Sequence, residues 1–146
     1  MSAQPITGLP VVLTIAGTDP CGGAGIQADL RAFAAMGVAG ASVVTAVLAQ
    51  NTQGVSGIHT VPPSVVARQI DAVAKDLPIS AVKIGLLSDA RIVSTVAGRI
   101  GRRDLANVVL DPVIAASDGT VLLPERRKTH QEGICRVCPG SKKEIG

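Results

Sequence analysis

Val11-Val12-Leu13-Thr14-Ile15-Ala16-Gly17-Thr18-Asp19-Pro20-Cys21-Gly22-Gly23-Ala24-Gly25-Ile26-Gln27-Ala28-Asp29-Leu30 decides the fold. Val11 to Ala16 carries no charge and reads as a buried parallel strand, whereas Ile26, Leu30, Phe33 and Gly37 recur at helical spacing. Between them lies a glycine-rich turn. Glycine lets the backbone come close to a ligand, and the helix that follows aims N–H groups and positive dipole at the same point. A strand, a glycine loop and a helix in that order build a ligand site; a plain flexible connection is the alternative.

Working outward, the uncharged or nearly uncharged runs at 11–16, 41–49, 79–84 and 107–111 predict strands, with helices between them. Val66, Ile70, Val73 and Leu77 share one helical face after Pro62-Pro63, with Ser64 as the candidate cap. Val93, Val96 and Ile100 define a helix over about 89–100, with Asp89 at its start and Gly101 as its stop. Strands alternating with helices imply an α/β fold in which a mainly parallel sheet is covered by helices on both faces.

On such a sheet ligands gather beyond the carboxyl ends of the strands. Gly17, Gln50, Gly85 with Leu86, and Asp111 all fall at predicted strand ends, so a small-molecule cleft is expected there. By a rotation of about 100° per residue, Asp29 lies roughly 60° from Ile26, at the border of the apolar stripe. A carboxylate there accepts hydrogen bonds from an amine or hydroxyl, and the Gln50 amide both donates and accepts. An ordinary first-turn acid complementing the helix dipole is the other reading of Asp29, and a polar strand end that of Gln50. Lys83 interrupts an apolar strand, and its plain reading is a stem reaching solvent. Cys21 reads as a bystander in a tight turn.

The segment Ala16 to Leu30 resembles the N-terminal signature of the hydroxymethylpyrimidine and phosphomethylpyrimidine kinases of thiamine biosynthesis, in the ribokinase-like superfamily. Thr45-Ala46-Val47-Leu48-Ala49-Gln50-Asn51-Thr52, Val82-Lys83-Ile84-Gly85-Leu86-Leu87 and Leu110-Asp111-Pro112-Val113 resemble its next landmarks, in order and at its spacing. The resemblance implies a three-layer α/β/α ribokinase-like fold and a kinase using ATP and Mg²⁺. It places Gly17, Ala24, Asp29, Gln50 and Leu86 around a pyrimidine and Asp111 near phosphate or magnesium. Leu86 stands where the family usually has Met, a volume-conserving change. No catalytic residue is assigned, because the family's anion hole and most ATP contacts belong to sequence beyond the resemblance.

The resemblance covers about residues 11–124. Residues 1–124 hold eight Lys plus Arg against eight Asp, whereas 125–146 hold six Lys plus Arg and three Glu, so the net charge of +3 belongs to the tail. The sequence therefore predicts part of a kinase domain over 1–124, truncated after about the fourth strand, and a disordered basic tail over 125–146. A frameshift, a premature stop, a faulty gene boundary or a naturally short variant would each produce it, and such a chain is expected to be inactive alone and prone to self-association. Cys135 and Cys138 with His130 give three candidate metal ligands where a structural zinc site wants four, so no metal is assigned.

Phe33 is the only aromatic residue, which removes base stacking as a route to single-stranded nucleic acid. No apolar run reaches spanning length, and a soluble cytoplasmic protein is expected. No G-x-x-x-x-G-K-[ST] string occurs. Gly23-Ala24-Gly25-Ile26-Gln27-Ala28 satisfies a loose dinucleotide-binding pattern, but it starts several residues after the strand, and Gln50 stands where an acid should meet the ribose. A dinucleotide-binding domain and a non-catalytic pyrimidine-binding fragment remain as the competing functions.

Overall fold

A computed structural model describes residues 8–111 and the short strand Lys142–Lys143. The elements run β1 (Val11–Gly17), α1 (Gly25–Ala35), β2 (Ala39–Asn51), β3 (Gly54–Thr60), α2 (Pro63–Asp76), β4 (Ile79–Ile84), α3 (Ala90–Arg102), β5 (Val108–Leu110) and β6 (Lys142–Lys143). They form one sheet in the order β3-β2-β1-β4-β5-β6, parallel throughout except for the antiparallel β2–β3 pair.

Alternation along β1 sends its residues to two different layers. Leu13 and Ile15 join Val43, Val82, Ile84, Val108 and Leu110 beneath α2 and α3, whose Val66, Ile70, Ile92, Val93, Val96 and Ile100 complete the core. On the opposite face α1 packs where Gly40 has no side chain; a Cβ there would stand 2.6 Å from the Leu30 Cδ2. These are the three layers expected, with helices on both faces.

Four local expectations are corrected. The sequence reading has no strand between 49 and 79, yet β3 turns back on β2, because the Asn51 carboxamide accepts the N–H groups of Gln53 and Gly54 and closes the turn. Ser64 does not cap α2: Pro62 holds that position without a side-chain bond, and Pro63 provides the preset φ of a first helical residue. Gly37 is no helical stripe residue. With φ +72° it follows the cap Met36, and Val38 N–H bonds Phe33 O while Gly37 N–H bonds Ala34 O, the paired closure of a left-handed helix stop.

The same closure ends α3 three residues later than expected, at Asp104 (φ 51°) and not at Gly101, with Leu105 N–H on Ile100 O and Asp104 N–H on Gly101 O. Asp89 does begin α3, accepting from the Arg91 N–H at 2.7 Å. The same carboxylate, by hydrogen bond and charge, raises the Arg91 pKa. The predicted fourth strand is β5, and β6 pairs with it through Val109↔Lys142 and Leu110↔Lys143. The rest of the segment 125–146, with Cys135, Cys138 and His130, lies outside the described residues.

Candidate ligand-binding site

The glycine-rich loop between β1 and α1 is organised by Asp19, a residue the sequence reading passed over. Asp19 is 3% exposed, and its carboxylate accepts the N–H of Cys21 (3.0 Å, Oδ1) and of Ala24 (2.8 Å, Oδ2). Its own N–H donates to the Gln27 Oε1 at 2.9 Å, which ties the loop to the first turn of α1. The signal was legible: an Asp whose side chain bonds the backbone two residues on is the usual start of an Asx turn. Arg31 reaches back from α1 to the Gly22 carbonyl.

Gly25 lets this loop sit on the end of β1. Its φ is +60°, and a Cβ there would lie 2.5 Å from the Gly17 carbonyl oxygen and 3.1 Å from the Asp19 nitrogen. Thr18 then stitches the loop to β2, donating its N–H to Ala46 O and accepting the Leu48 N–H at its Oγ1, each at 3.0 Å.

Three of the residues expected at the site, Gly17, Leu86 and Ala24, lie around this end. A Cβ on Gly17 would meet the Leu48 Cδ1 at 3.1 Å and the Leu86 Cδ2 at 3.2 Å. Leu86, with Ala46, Leu48 and Val55, forms an apolar cluster separate from the main core. Its backbone is held by the buried Thr45, whose hydroxyl donates to Leu86 O at 2.7 Å. Ala24 is the N-cap of α1, offers only a methyl group, and donates its own N–H to the Asp19 carboxylate.

Gln50 is placed differently from expectation. Gly17 pairs with Ala46, so Gln50 lies four residues further along β2, about 13 Å of strand at 3.3 Å per residue. It therefore sits on the arm of the β2–β3 hairpin beyond the parallel sheet, opposite Val55 of the Leu86 cluster.

Asp29 enters from the other face of the sheet, and with it comes a second group that the sequence reading missed. Its Oδ2 accepts the Thr14 hydroxyl at 2.6 Å and the Lys83 ammonium at 3.2 Å, while its Oδ1 lies 3.1 Å from the same ammonium. Lys83 is also 3.6 Å from the Asp111 Oδ2. Its side chain is only 23% exposed, so the solvent-reaching stem is corrected to a cation held between two carboxylates. Thr14 and Lys83 are register partners on β1 and β4, which puts both on the face that α1 covers. Asp111 follows β5, fixed by its N–H on Ile84 O at 2.8 Å.

The phosphomethylpyrimidine kinase family matches residues 19–134, most of the chain and nearly all of this site. The chain belongs to that family. It is 53% identical over 111 residues to the hydroxymethylpyrimidine/phosphomethylpyrimidine kinase of Escherichia coli K12, covering 76% of this chain and 42% of that one. It is 50% identical over 112 residues to the thiamine biosynthesis bifunctional protein ThiED of Geobacter sulfurreducens, covering 77% of this chain and 23% of that one. Thus the chain spans less than half the length of the curated relatives it matches.

Among solved structures, the phosphomethylpyrimidine kinase of Clostridium difficile 630 superposes with a TM-score of 0.80 at 31% identity, over 94% of this chain and 75% of that one. The ADP complex of Bacillus subtilis pyridoxal kinase superposes with a TM-score of 0.74 at 28% identity, over 90% and 50%. The ribokinase-like architecture expected from the sequence is therefore the one the protein has. Among the described residues of this family member, no helix is long and apolar enough to cross a membrane, and no group of three His, Cys, Asp or Glu side chains is gathered for a metal ion.

Proposed function

We propose that the cleft at the carboxyl edge of the sheet binds 4-amino-5-hydroxymethyl-2-methylpyrimidine. The parent activity is then transfer of the ATP γ-phosphoryl group to its hydroxyl and afterwards to its monophosphate, in thiamine diphosphate biosynthesis. The observation that carries this reading is that the Leu48 and Leu86 side chains close on Gly17, where an added Cβ would stand 3.1 and 3.2 Å from them, beside the Asp19-fastened glycine loop. A flat, weakly polar ring fits against the apolar wall that these side chains make, which rejects water. Gln50 on the hairpin arm and Asp29 beneath α1 would supply the polar contacts that orient the ring.

ATP use is supported by the relatives crystallised with nucleotides, among them the pyridoxal kinase of Staphylococcus aureus in complex with AMP-PCP and pyridoxal. Mg²⁺ is normally held by one or two carboxylates and the substrate phosphates. Asp111, an exposed carboxylate just past β5, suits one such ligand position. Mg²⁺ bound there would neutralise charge on the transferring group. The chain's own residues bind and orient: the loop and Leu86 exclude water from the ring, and Lys83 offsets the charge of Asp29 and Asp111.

Calorimetry with hydroxymethylpyrimidine, and with NAD as the competing ligand, tests the reading. Pyrimidine binding that weakens by about 1 to 3 kcal/mol in Asp29→Ala and in Gln50→Ala is expected, the range for leaving a buried polar partner unpaired. Unchanged affinity in both variants removes them from the site, and binding of NAD alone would replace the pyrimidine reading with a dinucleotide one.

A further inference from the structure

Asp29 and Lys83 together define how much of the carboxylate is left for a ligand. A carboxylate has about four acceptor positions on its two oxygens. Oδ2 already takes two donors, the Thr14 hydroxyl at 2.6 Å and the Lys83 ammonium at 3.2 Å, whereas Oδ1 is ion-paired with the same ammonium at 3.1 Å and accepts no hydrogen bond among the described residues. Oδ1 is left as the open acceptor. The Asp29 side chain keeps only 15% of its surface exposed, so the carboxylate is largely withdrawn from bulk solvation.

The cation is held as firmly as the anion. Gly85 leaves room for it, since a Cβ there would stand 3.2 Å from the Lys83 Nζ and 3.0 Å from the Ala16 Cβ. Asp111 draws the ammonium towards the strand ends from the other side. A half-buried lysine has no reason to lie in an apolar strand unless partnered carboxylates offset its desolvation. Here they belong to the two positions expected to face the pyrimidine and the phosphate.

We propose that Lys83 is a positioning residue that fixes Asp29 with Oδ1 as its open acceptor, and so selects pyrimidines carrying an exocyclic amine over those carrying an oxo group. This rests on the pyrimidine reading above. The amine donates a hydrogen to the open Oδ1. An oxo oxygen presents lone pairs to it and is repelled. With Lys83 neutral, the carboxylate is free to swing about the Thr14 hydroxyl, and the single acceptor direction is lost.

The experiment measures, by calorimetry on the full chain, affinity for 4-amino-5-hydroxymethyl-2-methylpyrimidine and for its 4-oxo counterpart, in wild type, Lys83→Met and Lys83→Arg, with folding checked by circular dichroism. Wild type is expected to prefer the amine. Lys83→Met should weaken amine binding about tenfold or more, as charge-assisted hydrogen bonds are worth, while the oxo compound changes little, so the preference collapses. Lys83→Arg should restore most of it.

A folded Lys83→Met chain that keeps both affinity and preference overturns the inference, as does one that loses both compounds equally, which is the signature of a pocket merely deformed. If Lys83→Met does not fold, Lys83→Arg decides: a folded arginine variant without the preference overturns the proposal, and one retaining it supports it. A wild-type chain that binds neither pyrimidine overturns the reading of the cleft and this inference with it.

Discussion

Gly25→Ala should destabilise the protein by about 2 to 4 kcal/mol, far more than the same change at Gly37. Both glycines have left-handed backbone, with φ +60° and +72°. That conformation costs an L-residue roughly 1 to 2 kcal/mol. The lower entropy of the unfolded alanine chain returns about 0.4 to 1 kcal/mol. At Gly37 nothing lies within 4 Å of an added Cβ, so the net should be about 1 kcal/mol or less.

At Gly25 the Cβ would meet Gly17 O at 2.5 Å, Asp19 N at 3.1 Å and Thr18 C at 3.1 Å. All three are backbone atoms and cannot rotate away, so overpacking adds about 1 to 3 kcal/mol. Urea unfolding followed by circular dichroism measures the difference. With a slope of about 1 to 3 kcal/mol/M, the Gly25→Ala midpoint should fall by about 1 to 2 M. The loop would also be pushed off Gly17, so pyrimidine affinity should drop in Gly25→Ala and stay unchanged in Gly37→Ala. Equal midpoints for the two variants would refute the claim that close backbone approach, and not φ alone, demands glycine at Gly25.

Asp19→Ala should lose about 1 to 3 kcal/mol by leaving the N–H groups of Cys21 and Ala24 without their acceptor, and hydrogen exchange should quicken at those two amides before anywhere in α2 or α3. An unchanged exchange rate there would show that the carboxylate does not order the loop. Leu86→Ala should cost about 2 to 5 kcal/mol and weaken pyrimidine binding as well, whereas Leu86→Met should preserve both, since it restores the volume of the wall. Denaturant midpoints and calorimetry on the two variants check this, and a methionine variant as impaired as the alanine one would contradict it.

Much of the molecule was written in local sequence. Val11 to Ala16 can only be buried on both faces, and glycines followed by helical spacing place a tight loop and a helix at its end, so β1, the loop and α1 were legible together. Gly17 and Leu86 were legible for the same reason: each sits where an apolar strand stops. Asp89 announced α3 as a capping carboxylate. What sequence could not decide was how partners far apart in the chain combine. Gly101 looked like a helix stop, but packing of Ile100 and the closure at Asp104 carried α3 past it. Gln50 does stand one residue from the end of β2, but only the pairing with β3 shows that this end is a hairpin arm beyond the parallel sheet. Lys83 is the clearest case. A lysine in an apolar strand has a meaning only when its opposite charges are known, and these come from 54 residues earlier in the chain on α1 and from the end of the neighbouring strand. Backbone propensity and hydrophobic period act over a few residues and are read locally. Charge pairing acts through space, and only the packing of α1 against β1 and β2 brought Asp29 to Lys83.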